Sequence, residues 1–115
     1  NEIEAEQLTG ERDPVRAARA LRRVGARGVI VTLGARGVYD GGYRPAFRIR
    51  AVDTVGAGDS FVGAFAAALA CGRPDPVRFA QAAAALKCTR PGAQSVPTRR
   101  EVEALLRRAS RRNEP

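Results

Sequence analysis

Residues 53–61, with the sequence DTVGAGDSF, place two glycines and a small alanine between two carboxylates, directly before an apolar, alanine-rich stretch. Glycine lets the backbone bend sharply and lets a ligand approach the main chain, because it has no side chain. If a helix begins here, its first N–H groups have no acceptor inside the helix, and the helix dipole adds positive character. Anions bind at such positions. Gly56, Ala57 and Gly58 are therefore predicted to form a cup of amides for a phosphoryl group.

Asp59 follows this cup and falls in the first turn of the predicted helix. A carboxylate at that position can accept the proton of an attacking hydroxyl group. Amides that bind a phosphoryl group beside a base are suited to phosphoryl transfer to an alcohol, in which positioning and electrostatic stabilisation dominate. In a plainer interpretation Asp59 only stabilises the helix start and the glycines only form a turn. The spacing of this segment alone leaves both interpretations open.

Two helices are predicted in the first 25 residues. The polar opening segment favours a helix that stops at Gly10. Asp13 and Pro14 are a typical N-cap and first residue of a second helix, which ends at Gly25. The predicted buried stripe of the second helix consists of Ala17, Leu21 and Val24.

Strands are predicted between residues 29 and 51. A continuous apolar run rich in β-branched residues, Val29 to Leu33, predicts a buried strand in parallel pairing that is covered on both faces. The turn residues Asp40, Gly41 and Gly42 are typical of a hairpin. Half-exposed antiparallel strands are predicted around it, including the alternating residues Phe47, Ile49 and Ala51.

Three helices are predicted after these strands, from about Gly58 to Ala70, from about Pro76 to Thr89, and after a capping box formed by Thr98 and Glu101. The middle helix is apolar nearly all round and is predicted to be buried. The predicted buried stripes of the other two consist of Phe61, Phe65 and Leu69, and of Val102, Leu105, Leu106 and Ala109. The order of elements predicts part of an α/β layered fold, with a sheet flanked by helices.

Composition narrows the class of protein. The chain has 115 residues and a net charge of +8, but its 20 basic residues include a single lysine, Lys87, and no recognition motif accompanies them. We therefore predict no nucleic-acid partner. Cys71 and Cys88 lack a CxxC spacing and histidine is absent, which excludes the common zinc clusters and histidine-based triads. Both cysteines are predicted to be reduced and packed in the core, as in a cytoplasmic protein, and no membrane-spanning stretch is visible.

Four segments occur in an order that resembles the C-terminal half of the PfkB family of carbohydrate kinases. They read NEIEAEQLTG, VIVTLGARGVY, AVDTVGAGDSFVGAF and AAAALKCTRPGAQSVP. The stretch TRPGAQSVP is similar to the ribokinase group of that family. The resemblance covers almost the whole chain and implies a ribokinase-like layered fold in which residues 1–115 are the C-terminal, incomplete part of a domain. That part would carry nucleotide binding and the catalytic base.

The resemblance implies ATP-dependent phosphorylation of the primary hydroxyl of a sugar, D-ribose to ribose 5-phosphate, with Mg²⁺ and K⁺ as cofactors. Asp59 would be the base and the amides of Gly56, Ala57 and Gly58 the anion hole. Most sugar contacts would come from the family's other half, so residues 1–115 alone are expected to be inactive. A membrane partner is not implied, and a homodimer of the intact protein is compatible with the resemblance. The alternative is a non-catalytic, truncated relative that binds a nucleotide or a partner chain.

The resemblance also implies ligand-binding residues. Asn1 and Glu4 match an N-x-x-E motif that helps to position magnesium and phosphates, and Gln81 falls where the family places a nucleotide-contacting side chain. The strand-end segment that would line the nucleotide site comprises Thr32, Leu33, Gly34, Ala35, Arg36 and Gly37. The potassium ligands would come from Asp53, Val55, Lys87, Arg90, Gly92 and Ser95, with backbone carbonyls supplied by Lys87, Arg90 and Gly92.

Each of these assignments has a structural alternative. Asn1 and Glu4 can form an ordinary helix start, and residues 32–37 an ordinary strand end and turn. Asp53 can satisfy loop amides, and Ser95 can stabilise the loop before the last helix. The chain is also one residue shorter than many ribokinases between Gln94 and Ser95. The cation loop is therefore expected to differ from theirs.

Overall fold

The computed structural model describes residues 1–92 and 95–112, and the chain divides into two units, 1–46 and 47–115. In the first unit, capping residues determine where both helices begin. Helix α1, Glu2–Thr9, begins at Asn1, whose side chain accepts the Glu4 N–H at 2.9 Å. It ends at Gly10, which has the left-handed conformation, φ 76°. Helix α2, Pro14–Arg23, begins where the Asp13 carboxylate accepts the Val15 N–H at 3.3 Å. Both helix starts confirm the prediction.

Val24 was wrongly predicted to be buried. It is the residue after the last helical residue of α2, and 82% of its surface is exposed. The helical spacing that aligns it with Ala17 and Leu21 no longer applies beyond the helix end. Ala17 is fully buried and Leu21 is packed against the core, as predicted.

The sheet of the first unit is antiparallel, in the order β1-β2-β3. Its strands are β1, Val31–Thr32, β2, Val38–Tyr39, and β3, Tyr43–Arg44. The turn between β2 and β3 confirms the predicted hairpin. The predicted parallel strand over Val29–Leu33 was wrong, because β2 follows β1 after a short turn and a parallel pair needs a long crossover connection.

The core of the first unit lies between its helices and β1. Val29, Val31 and Leu33 are buried, whereas Ile30 and Thr32 between them are only half-buried. The run is therefore covered on one face and not on both. The buried face packs with Ala5, Ala17 and Ala18 of the helices.

Gly37 is required by the close approach of the hairpin backbone. Its φ is +102°, and a Cβ atom there would lie 2.0 Å from the carbonyl oxygen of Arg44. We expect Gly37→Ala to destabilise the chain by about 2–4 kcal/mol, because strain and overlap act together. Urea unfolding measures this effect. Gly28→Ala is the control, since a Cβ atom at Gly28 meets open space, and equal stability of both variants would contradict the assignment.

The second unit consists of three helices: α3, Ala57–Ala70, α4, Pro76–Cys88, and α5, Arg99–Arg112. Asp75 caps α4 by accepting the Arg78 N–H at 3.2 Å. The predicted capping box of α5 is present, with the Glu101 carboxylate accepting the Thr98 N–H at 2.9 Å. The helices pack around a core of Phe47, Ala68, Phe79, Ala82, Ala83 and Val102. Ala64, Leu105, Leu106 and Ala109 pack against that core, which confirms the predicted stripe of α5.

Other predictions for the second unit were wrong. Leu69 is 55% exposed, because α3 turns Ala64 and Ala68 toward the core instead. Cys71 is exposed, since it follows the last helical residue of α3. Phe47 is buried and Ile49 half-buried, but residues 45–51 form no strand in the described part of the chain. The backbone that follows is bound instead to a helix end, where the Cys88 carbonyl accepts the N–H groups of residues 52 and 53.

Within residues 1–92 and 95–112, none of the helices is both long and apolar enough to cross a membrane.

Candidate active site

The N-terminus of α3 is open to a ligand. Gly56 precedes it in the left-handed conformation, φ 82°, and no side chain caps the helix. The Ala57 N–H donates to the Thr54 carbonyl at 3.2 Å, and the Ser60 N–H donates to the Gly56 carbonyl at 2.9 Å. The N–H groups of Gly58 and Asp59 have no acceptor among the described residues. One predicted cup residue, Gly58, therefore offers a free amide, and the adjacent Asp59 offers a second.

Open space surrounds Gly58, since a Cβ atom built there would have no neighbour within 4 Å. A group carrying negative charge can therefore approach these amides without displacing a side chain. The helix dipole and the unsatisfied amides both favour such a group at this position.

The Asp59 carboxylate is exposed in the first turn of α3 and accepts no hydrogen bond from the described residues. The plainer interpretation, in which this side chain acts as a cap, is therefore not seen in the structure. Asp59 borders a cavity of about 380 Å³ that lies between the three helices of the second unit. Most of the residues that line the cavity are apolar, among them Ala64, Ala67, Phe79, Ala83 and Val102.

The Asp53 carboxylate joins two loops that are 39 residues apart in the chain. Its Oδ1 accepts the Val55 N–H at 2.9 Å, and its Oδ2 accepts the Gly92 N–H at 3.0 Å. The Cys88 carbonyl accepts the N–H groups of Val52 and Asp53 at 2.7 and 3.0 Å. The C-terminal end of α4 therefore holds the loop that leads into α3.

Hydrogen bonds from the N–H groups of Val55 and Gly92 hold the pKa of Asp53 below its ordinary value of 3.8, and the positive charge of Lys87 adds to this effect. A carboxyl group whose pKa is lowered in the folded state stabilises that state above its unfolded pKa. Its contribution is lost as the pH falls below about 3.8 and through the lower folded pKa.

We expect the loop that contains Asp53 to loosen below pH 3.8 and not above it. Amide hydrogen exchange at Val55 and Gly92 measures this, because both amides lose an ionised acceptor when Asp53 takes up a proton. In the Asp53→Asn variant these amides should exchange faster at neutral pH, with no further change over the same acidic range. An unchanged acidic response in that variant would contradict the role of Asp53.

The residues expected to bind potassium are gathered around Asp53, but several of their polar groups are already engaged. The Lys87 carbonyl accepts the Arg90 N–H at 3.1 Å, and the Ser95 hydroxyl donates to the Pro91 carbonyl at 2.6 Å. Gly92 turns its N–H toward the carboxylate, and the Arg90 guanidinium pairs with Glu101. Binding of a potassium ion by these residues stays a prediction. Ala93 and Gln94, next to the predicted shortening of the loop, lie outside the described residues.

Sequence reasoning missed the side chain of Lys87. It is 0% exposed, and its Nζ has no hydrogen-bond partner among the described residues. Only its backbone carbonyl had been considered as a ligand. The available signal was compositional, because Lys87 is the single lysine of the chain and lies within the otherwise apolar segment AAAALKC.

The nucleotide-binding segment predicted in the first unit is a strand end and turn. Thr32 is in β1 and the Leu33 side chain is in the core. Gly34, Ala35 and Arg36 form an exposed 3₁₀ turn, in which the Arg36 guanidinium pairs with Glu2. The Gly37 backbone is closely approached by the Arg44 carbonyl of its own hairpin. The exposed turn is thus the part of this segment that is accessible to a ligand.

Asn1 and Glu4 form a complete capping box. The Asn1 side chain accepts the Glu4 N–H, and Oε1 of Glu4 accepts from the Asn1 backbone nitrogen at 2.8 Å. The carboxylate of Glu4 is exposed and keeps its second oxygen, so it fits a contact to magnesium through water. No cluster of three or more His, Cys, Asp or Glu side chains that could hold a metal occurs in the described part of the chain.

Gln81 is 6% exposed on α4, and its Oε1 accepts a hydrogen bond from Nη1 of Arg78 at 3.3 Å. A contact between Gln81 and a nucleotide stays a prediction.

Comparison with known proteins defines the class. Residues 1–99 match the family model of the pfkB family carbohydrate kinases, and the chain belongs to this family. Its architecture of helices with a small sheet is a part of the ribokinase-like α/β fold, which confirms the predicted fold class.

Within the family the chain is similar to ribokinases. It is 43% identical to the ribokinase of Haemophilus influenzae over 95% of this chain and 40% of that protein. The structure of ribokinase from Thermotoga maritima matches with a TM-score of 0.82 and 43% identity, over 92% of this chain and 39% of the other. A fructokinase double mutant from Vibrio cholerae, with fructose, ADP and potassium bound, matches with a TM-score of 0.82 and 28% identity, over 91% and 38%. The chain therefore spans about 40% of the length of the relatives it matches.

Proposed function

We propose that this chain carries the catalytic base and the phosphate-binding loop of an ATP-dependent sugar kinase, with D-ribose as the sugar. The observation that carries the proposal is the uncapped start of α3, where free amides and an exposed carboxylate stand side by side. Membership of the pfkB family and similarity to ribokinases support the reaction class and the choice of sugar. A cytoplasmic location and a homodimer of the intact protein belong to the same proposal.

The proposed reaction assigns one task to each group. The Asp59 carboxylate accepts the proton of the primary hydroxyl, and the hydroxyl oxygen forms a bond to the γ-phosphorus of ATP. The bond between that phosphorus and the β,γ-bridging oxygen breaks, and ADP leaves with the bond's electron pair. The N–H groups of Gly58 and Asp59 stabilise the charge of the transferred phosphoryl group, as preorganised donors do in such reactions.

Residues elsewhere in the chain would bind the nucleotide and its metal. The exposed turn at 34–36 and Gln81 would contact ATP, and Glu4 with Asn1 would hold magnesium through water. Magnesium would neutralise the phosphate charges of ATP. These roles are supported by the resemblance and, for Glu4, by its exposed carboxylate.

A nucleotide-binding protein without catalysis is the second candidate function. It is favoured because the residues assigned to the nucleotide lie within the matched segment 1–99, whereas the resemblance places most sugar contacts in the family's other half. The two candidates share the phosphate-binding loop and differ in whether a sugar hydroxyl is brought to Asp59.

The test of the shared loop is Gly58→Ala. The added methyl group meets no protein atom within 4 Å, so the fold should be retained. It would stand where an anion approaches the amides, and we expect ATP affinity to fall by about tenfold, the effect of losing one hydrogen bond to a charged group. Isothermal titration calorimetry measures the affinity, and thermal melting measures the stability.

Gly63→Ala is the matched control for the stability of α3. It is also a helical glycine with open space around its Cβ position. Both substitutions should leave the melting temperature unchanged or raise it, since alanine is a better helix former than glycine. Unchanged ATP affinity in Gly58→Ala would contradict the proposal that a phosphate group of ATP binds at the start of α3.

A further inference from the structure

The outer face of α3 is apolar and uncovered. Residues 61–70, with the sequence FVGAFAAALA, contain no polar side chain. Val62 and Leu69 lie seven residues apart and therefore on one side of the helix, and they are 67% and 55% exposed. Ala66, between them on the same side, is exposed as well. A helix that is apolar all round is normally buried, so this face is expected to be covered.

The other two helices of the second unit meet water differently. In α4, which is also mainly apolar, none of the side chains is classed as exposed, and Phe79 to Ala83 are buried. In α5 the exposed side chains are charged or polar, among them Arg100, Arg107 and Arg108. Each of these two helices has a surface that matches its exposure. From residue 61 onward α3 does not, because its exposed side chains are all apolar.

The extent of the match with relatives indicates what covers this face. The chain matches 39% of the Thermotoga maritima ribokinase and 40% of the Haemophilus influenzae ribokinase, so the larger part of each lies outside the match. A domain buries the apolar faces of its elements against one another. A membrane surface fits this face poorly, because helices that lie on membranes carry basic side chains on their polar side and α3 has none.

We propose that the outer face of α3, formed by Val62, Ala66 and Leu69, is the surface on which the remaining, larger part of a pfkB-family kinase packs. The side chains that cover it are apolar, since residues 61–70 offer neither charge nor a polar side chain. Val62 follows Asp59 by three residues, which is less than one helical turn. The part that covers α3 therefore borders the exposed Asp59 carboxylate. Its role beside the sugar rests on the proposed function, whereas the packing itself does not.

The test measures how fast a cysteine at residue 62 reacts with iodoacetamide. Val62→Cys is made in a Cys71→Ser background, because Cys71 is itself exposed. The reaction is followed in the isolated chain and in a fusion of residues 1–115 to the non-matching part of the Haemophilus influenzae ribokinase. Peptide mass spectrometry follows each thiol separately. Labelling should be slower in the fusion by about 100-fold or more, since a covered thiol reacts only when the structure opens locally.

Arg107→Cys is the matched control, because Arg107 is exposed on α5. It should be labelled at similar rates in the isolated chain and in the fusion. Equally fast labelling of residue 62 in both proteins would overturn the proposal. Protection of residue 62 that grows with the concentration of the isolated chain would also overturn it, because a second copy would then cover the face.

A second measurement decides if the fusion does not fold. Tagged residues 1–115 are produced in the same cells as the non-matching part of the ribokinase, as two separate chains, and the two are expected to co-purify. Val62→Asp together with Leu69→Asp should lower the yield of the second chain by about tenfold or more, because an unpaired carboxylate is strongly unfavourable in an apolar contact. Arg100→Asp with Arg107→Asp, the control pair on α5, should leave it unchanged. No co-purification, or equal losses in both pairs, would contradict the proposal.

Neither measurement requires turnover. An inactive fusion in which residue 62 is protected would retain this proposal and count against the kinase proposal. An active fusion in which residue 62 reacts as fast as in the isolated chain would do the reverse.

Discussion

Purified on its own, the 115-residue chain is expected to show no measurable phosphorylation of ribose by ATP, even with magnesium and potassium present. Phosphoryl transfer depends on positioning more than on covalent chemistry by the protein. Holding the hydroxyl beside the γ-phosphate supplies about 7–11 kcal/mol of the barrier reduction. The chain corresponds to about 40% of a ribokinase, and the resemblance places most sugar contacts in the other part. Formation of ADP and ribose 5-phosphate, followed by a coupled assay and by mass spectrometry, measures the reaction.

The positive control is a chimera in which residues 1–115 replace the matching C-terminal part of the Haemophilus influenzae ribokinase. The 43% identity between the two segments makes this exchange feasible. Turnover by the chimera with none by the isolated chain is the expected pair of results. Robust turnover by the isolated chain would show that the sugar site lies within these residues, contrary to the proposed division of roles.

In that chimera, Asp59→Asn is expected to lower kcat by about 10²–10⁴-fold, the usual effect of losing a general base. The amide keeps the size of the side chain and cannot accept the hydroxyl proton. Affinity for ATP should change little, because the free N–H groups at the start of α3 remain. Steady-state kinetics gives kcat, and calorimetry gives the affinity.

Asp75→Asn is the matched control for this substitution. Asp75 caps α4 in the same unit and borders neither the open start of α3 nor the cavity. Its replacement should change both the melting temperature and kcat little, because asparagine caps a helix start about as well as aspartate. Near-normal turnover in Asp59→Asn would exclude Asp59 as the base, whatever the control shows.

The helices could be predicted because their ends depend on neighbouring residues. Asn1, Asp13 and Asp75 all cap the helices that follow them, and Thr98 and Glu101 form the capping box of α5. Each of these interactions spans only two or three residues along the chain. Such local chemistry is visible in sequence.

The pairing of β1 and the exposure of Leu69 could not be predicted in this way. Hydrophobicity of the run at 29–33 indicates burial but not the direction of its partner strand, which the short connection to β2 decides. For Leu69, two faces of the alanine-rich α3 were both apolar enough to be buried. The face with Ala64 and Ala68 packs against the core, because small side chains allow helices to approach closely.

The site was predicted unevenly for a similar reason. The glycines in the loop at 56–59 allow its sharply bent conformation, so an open helix start could be predicted from the sequence. Lys87 is buried in the last turn of α4, a helix end that is bound to a loop more than 30 residues earlier in the chain. Such a contact leaves no mark on local periodicity, and only the scarcity of lysine indicated it.

The bond between the Asp53 carboxylate and the Gly92 N–H closes the chain from residue 53 to residue 92 into a ring that contains α3 and α4. The carbonyl of Cys88 closes a second, slightly smaller ring on the same loop. Two concentric closures of this kind should make the ends of the helix pair open as one cooperative unit rather than fray one after the other. The amides of Val52, Asp53, Val55 and Gly92 are thus expected to share one opening free energy in native-state hydrogen exchange. Cleavage of one of the two loops by a protease should therefore also release the other loop.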